Sequence, residues 1–179
     1  MKKIKIISLI LITGLAIIAC KPSKDKSIAK INQLEKELLS TTAQIDSTKA
    51  QQLIDLYVGY ADQYKTDSLA PIYLFKASDI SMNISRYELS IGLLDRIRAD
   101  YPDFSKIPDC LFLKAFIYEN MTNELKKAED AYKEFISKYP EDELVSSAKA
   151  AIEHLGIPTE DLIKSFEEKN KSAKDSIKA

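Results

Sequence analysis

The sequence predicts an all-α fold, a short solenoid of stacked helical hairpins, on three observations. Glycine is scarce, 4 in 179 residues, and prolines fall between stretches in which apolar residues recur every three or four positions. The chain also repeats itself: "LLDRIRADYPDF" at 93–104 and "AYKEFISKYPED" at 131–142 lie thirty-eight residues apart, and each carries Tyr-Pro, at Tyr101-Pro102 and Tyr139-Pro140. Duplication at this period belongs to architectures in which each unit leaves an apolar face that its neighbour covers.

The first element is a leader. Lys2, Lys3 and Lys5 form a basic head, Ile6 to Ile18 an apolar middle, and Ala19 precedes Cys20. That anatomy reads as a secretory signal over 1–19, too short for a comfortable membrane span. Ile17-Ile18-Ala19-Cys20 resembles the lipobox of bacterial lipoproteins, which implies cleavage before Cys20 and acylation of its thiol and amine. Several acyl chains, at about 0.8 kcal/mol per buried methylene, would hold the chain on a bilayer. Residues 20–27 are then the acylated cysteine and linker, 28–155 the helical repeat domain, and 156–179 a capping helix and frayed tail. Lys21 after the cysteine resembles the signal for release to the outer membrane, with the periplasmic face favoured. "KPSKDK" at 21–26 is similar to the charged tethers of some surface lipoproteins, so the cell-surface face stays open.

The chain has 26 basic and 27 acidic residues, and loss of the leader's three lysines leaves a charge of about −4. No basic field remains for nucleic acid. Once Cys20 is acylated, Cys110 alone cannot form an intramolecular disulfide, so stability must come from packing.

A helix is expected over 28–39, where Ile28, Ile31, Leu34 and Leu38 share a face too short for a coiled coil. Asp46 is placed to cap a second helix over 47–64, and its stripe of Leu53, Tyr57, Tyr60 and Tyr64 reads as core. The next four helices, over 69–83, 86–101, 107–120 and 124–139, carry the repeat. Ser85-Arg86-Tyr87-Glu88 has the form of a capping box at the start of the second of these.

At the thirty-eight-residue offset Ala77 pairs with Ala115, Ile80 with Tyr118, Ser90 with Ala128, Leu94 with Tyr132 and Ile97 with Phe135. Small matches small and large matches large. A small residue at a helix crossing lets the backbones approach, and a bulky one a turn away fills the groove beside it. Pro102 and Pro140 then stop each second helix. Leu144, Ala148, Ala151, Ile152 and Leu155 make a further one-sided helix ended by Gly156 and Pro158. Thr159 is placed to cap a last helix bearing Leu162, Ile163 and Phe166, a lid for the stack.

Ala128, Tyr132, Phe135, Tyr139 and Pro140, with Ala115 and Tyr118 in the preceding helix, form an Ala-x3-Tyr-x2-Phe-x3-Tyr-Pro unit. It resembles the tetratricopeptide repeat in the form seen in outer-membrane lipoproteins, such as the repeat lipoprotein of the β-barrel assembly machine, and in the repeat domain of the periplasmic division coordinator. The resemblance covers about 69–155 and implies a tetratricopeptide-type solenoid of about three repeats. It further implies a non-catalytic scaffold or adaptor in outer-membrane assembly or envelope coordination. A cell-surface role in nutrient capture or host contact is the alternative. The spacing from Ala115 to Ala128, like that from Ala77 to Ser90, is one residue longer than usual, which enlarges the turn inside each pair.

In such repeats the first helix of each pair lines a concave surface. The resemblance therefore assigns a partner-binding groove to Asp109, Phe112, Phe116, Glu119 and Asn120, and to Pro71, Leu74, Ser78, Ser81 and Met82 of the preceding unit. The 107–121 stretch is apolar nearly all round, so it is either buried on every side or lines a groove. Phe112 and Phe116, one turn apart, are the expected contacts for a peptide or helix, unless the helix of Leu162, Ile163 and Phe166 folds over them.

Catalytic motifs are thin. His154 falls in a helix's last turn, where a positive charge suits the dipole. No second histidine and no cysteine pair offers a zinc site. Ser146-Ser147-Ala148-Lys149 matches Ser-x-x-Lys, but the motifs that accompany it in acyl-transfer enzymes are missing. The expected partners are other envelope proteins and, through Cys20, the membrane; no metal or cofactor is expected.

Overall fold

The computed structural model describes residues 23–39, 46–158, 160–165 and 167–168. The expected leader with Cys20, the cap at Thr159, Phe166 and the tail from 169 lie outside the described residues. Every regular element among the described residues is a helix. In order they are α1 (Lys24–Leu39), α2 (Ser47–Gln63), α3 (Leu69–Asn83), α4 (Tyr87–Asp100), α5 (Ile107–Asn120), α6 (Leu125–Lys138) and α7 (Val145–His154). Residues 160–165 and 167–168 are helical as well. α2 begins where expected because the Asp46 carboxylate accepts hydrogen bonds from the N–H groups of Thr48, at 2.9 Å, and Lys49, at 3.1 Å.

The helices pack in chain order: α1 on α2, α3 on α4 and α5 on α6, with α2 against α3, α4 against α5 and α6 against α7 joining the pairs. Ion pairs Lys24–Asp67 and Lys49–Glu37 tie opposite ends of α1 and α2 together, so the two run antiparallel. The interior divides into two clusters. One gathers Ile31, Leu53, Tyr57, Tyr60, Leu74, Leu94 and Ile97 with Cys110 and Ile117. The other gathers Leu111, Ala115, Ala128, Tyr132 and Phe135 with Ala148 of α7. α5 contributes one side to each cluster, and half-buried Tyr139 touches both. That two-sided burial is why its sequence is apolar all round.

Three turns between pairs have one geometry. Tyr64, Tyr101 and Tyr139 each cap a second helix at φ −123°, −135° and −131°, each N–H donating to the carbonyl four residues back. In each case the residue three further on, Asp67, Phe104 or Asp142, donates its N–H to the tyrosine carbonyl. Its own carbonyl then accepts from Ala70, Ile107 or Val145 and starts the next helix. The stripe of Leu53, Tyr57, Tyr60 and Tyr64 is therefore a third copy of Ala128, Tyr132, Phe135 and Tyr139, displaced by thirty-seven residues from the middle one. Lys65 occupies the proline position in this copy, so the turn does not depend on proline.

Turns inside the pairs share a left-handed residue, and here the capping-box expectation fails. Ser85 and Asn123, thirty-eight residues apart, both adopt left-handed backbone, at φ 61° and 53°. Ser85 N–H donates to Met82 O at 3.0 Å and Arg86 N–H to Ser81 O at 2.7 Å, a Schellman closure of α3 rather than a start for α4. Arg86 occupies the cap of α4, with no side-chain hydrogen bond. The Ser85 hydroxyl instead accepts from the Tyr87 hydroxyl at 3.1 Å. The enlarged turn needs a reversal of backbone direction, and the left-handed residue supplies it.

Candidate protein-binding site

The residues assigned to packing differ in burial. Ala77, Ala115 and Ala128 are fully buried, as are Tyr132 and Phe135 to within 1%. Tyr132 keeps its hydroxyl satisfied by donating to Glu119 Oε2 at 2.8 Å, and burial together with that carboxylate pushes its phenol pKa up. Tyr118 is half-buried with the ammonium groups of Lys114 and Lys127 at 5.8 and 5.3 Å from its ring. Tyr101 and Tyr139 are half-buried, while Pro102 and Pro140 are exposed.

Residues assigned to the groove divide. Leu74 and Ser78 are completely buried, and this corrects the expectation for α3. Leu74 packs in the first cluster, while Ser78 Oγ lies 3.0 Å from Ser90 Oγ across the α3–α4 crossing. Pro71 and Ser81 are buried too; Ser81 donates to Ala77 O at 2.6 Å, and Met82 is half-buried. The physical reason is that α3 is gripped by α2 and α4 at once, so positions 70, 71, 73, 74, 77, 78 and 81 turn inward. The stripe left outward on α3 is Ile72, 38% exposed, with Phe75, Lys76 and Asp79.

On α5, Asp109, Phe112, Phe116 and Glu119 are half-buried and Asn120 is exposed. Phe112 meets Tyr132 and Phe135 edge-on, with centroids 5.6 Å apart in both contacts, so it serves the second cluster as well as the surface. Phe116 belongs to neither cluster. Glu119 holds the Tyr132 hydroxyl, and the Asn120 side-chain amide donates to Phe116 O at 3.1 Å. In the helical stretch at 160–165, Leu162 is half-buried and Ile163 is 53% exposed.

Sequence reasoning did not single out the polar group that joins α3 to α5 on this face. Lys106 places its ammonium 5.3 Å from the Phe75 ring centroid and 3.7 Å from Asp109 Oδ1. Asp79, half-buried on α3, is held above the usual carboxylate range by burial, opposed by Lys106 and reinforced by Asp109. An aspartate one helical turn after Phe75 in "LFKASDISM" was the available signal.

Among the described residues no three His, Cys, Asp or Glu side chains gather to hold a metal ion, and no helix is long and apolar enough to cross a membrane. Cys110 is buried, and burial pushes its thiol pKa up to about 12, which leaves it in the unreactive thiol form at neutral pH. Ser146 and Lys149 are exposed on α7.

The tetratricopeptide repeat family model matches residues 109–142, which span most of α5, all of α6 and the turn after it. No curated protein matches the chain.

Proposed function

We propose that this hairpin stack is a non-catalytic adaptor of the bacterial cell envelope, held to the outer membrane by acyl chains on Cys20 and binding segments of other envelope proteins along the outward faces of α3 and α5. The observation that carries the reading is the repeated pair geometry, with the tetratricopeptide pattern at 109–142, around a face where Phe116 is left outside both interior clusters. Repeats of this class act by steric fit and burial at such faces. Acylation would raise the local concentration of the adaptor near membrane partners. Lys21 after the cysteine favours release to the outer membrane, and the charged stretch at 21–26 leaves the cell-surface face open as the alternative.

Crosslinking in the native membrane, followed by mass spectrometry, tests the binding role. Phe116→Ser is expected to remove the crosslinked partner while leaving helicity intact; an unchanged crosslink pattern would overturn the assignment. Phe112→Ser is the less clean variant, because Phe112 also packs on Tyr132 and Phe135. The anchor is tested separately. Cys20→Ala should move the protein from the membrane to the soluble fraction, and protease added to intact cells should leave the periplasmic form uncut.

A further inference from the structure

The outward face of α3 and α5 has a charge character that points to the chemistry of its partner. Lys76, the lysine of the outward stripe of α3, is committed to the scaffold, donating to Glu35 at 2.8 Å. Asp79 accepts no hydrogen bond from a described residue, yet it is half-buried and feels Asp109 across from α5. The group that answers both acids is Lys106, and its hold is loose. Its side chain is 52% exposed and meets Asp109 only at 3.7 Å, with its ammonium 5.3 Å from the Phe75 ring centroid. The face thus already seats one cation over the Phe75 ring and beside the Asp109 carboxylate, within the field of Asp79, on a side chain that is half exposed.

We propose that this face docks an apolar segment of a partner protein bearing a single central arginine or lysine, whose cation replaces Lys106 over Phe75 and beside Asp109. This rests on the adaptor reading above and adds the partner's chemistry to it. A guanidinium suits the place better than an ammonium. It stacks flat on the Phe75 ring and its fork offers donors to two carboxylates at once, while it is less strongly hydrated and so costs less to dehydrate. Apolar residues flanking the cation would cover Ile72, Phe75 and the outward side chains of α5, Phe116 among them. An acidic segment meets two like charges instead and is rejected.

The test uses two fluorescein-labelled amphipathic peptides of about sixteen residues, identical except for Arg or Glu at the centre of the apolar face, titrated by anisotropy with the full chain in detergent. The Arg peptide is expected to bind at least about tenfold more tightly than the Glu peptide, an advantage that Asp79→Asn reduces to about threefold or less. Lys106→Ala should tighten the Arg peptide further by removing its competitor. Equal binding of the two peptides, with both lost in Phe116→Ser, would overturn the charge selection and leave the groove standing. Failure of both peptides to bind, or indifference of the Arg peptide to Phe116→Ser, would overturn the groove and the inference together.

Discussion

Ser85 shows how a single residue can follow two local rules of opposite consequence. Its sequence context fits a capping box, in which Ser85→Ala would cost about 0.5–2 kcal/mol and glycine a few tenths. Its left-handed backbone, at φ 61°, makes the opposite demand. Ser85→Gly is expected to stabilise the protein by about 1 kcal/mol by removing the Cβ penalty, and Ser85→Ala to be near neutral or mildly destabilising, measured by urea denaturation. Two carboxylates carry opposite pH signatures. Burial raises the Asp79 pKa on folding, so its charged form destabilises the fold above the ordinary carboxylate range. Asp79→Asn should therefore stabilise at pH 7, with the gain vanishing as pH falls and Asp79 protonates in both states. At Glu35 burial is outweighed by hydrogen bonds from Lys76 and Tyr57, and the pKa is lowered. Glu35→Gln should destabilise at pH 7, and that loss should fade as pH falls through the lowered value. Denaturation midpoints across pH 3–7 check both signs.

At the scale of the helix, burial of Ala128 at the α5–α6 crossing leaves no room for a larger side chain. Ala128→Leu is expected to cost about 1–3 kcal/mol through overpacking, read from thermal or urea unfolding. Tyr139 bridges the two clusters but is only half-buried, so Tyr139→Ala should cost about 1–3 kcal/mol, less than a fully enclosed aromatic. The helices themselves were legible in the sequence because their apolar spacing and the Tyr-Pro stops are local signals. α3 and α5 appear within the residue bounds that the pattern assigns. The third copy in α2 escaped because Lys65 replaces proline and the offset drops by one residue, although the tyrosine spacing was there to be aligned. The rotation of α3 was not legible at all. Which of its faces turns inward depends on being gripped by α2 and α4 together, and no single-helix pattern encodes that; Leu74 and Ser78 were misassigned for this reason.

Across the whole molecule, contacts run from each helix to its neighbours in the chain, and the two clusters meet along α5. Such a stack holds together by nearest-neighbour burial, and its ends open more easily than a closed core would allow. The same arrangement explains why the binding face could be placed only roughly from sequence. The repeat pattern identifies which helices are first in their pairs, whereas the juxtaposition of Asp79, Phe75, Lys106 and Asp109 arises only when two units are stacked. In this architecture the pairs are stacked units rather than parts of one common core. Native-state hydrogen exchange on Phe135→Ala, which empties the second cluster, tests it most directly. Stacking predicts lost amide protection in α5, α6 and α7 with α1 and α2 close to wild type; loss of protection in α1 and α2 equal to that in α6 would contradict it.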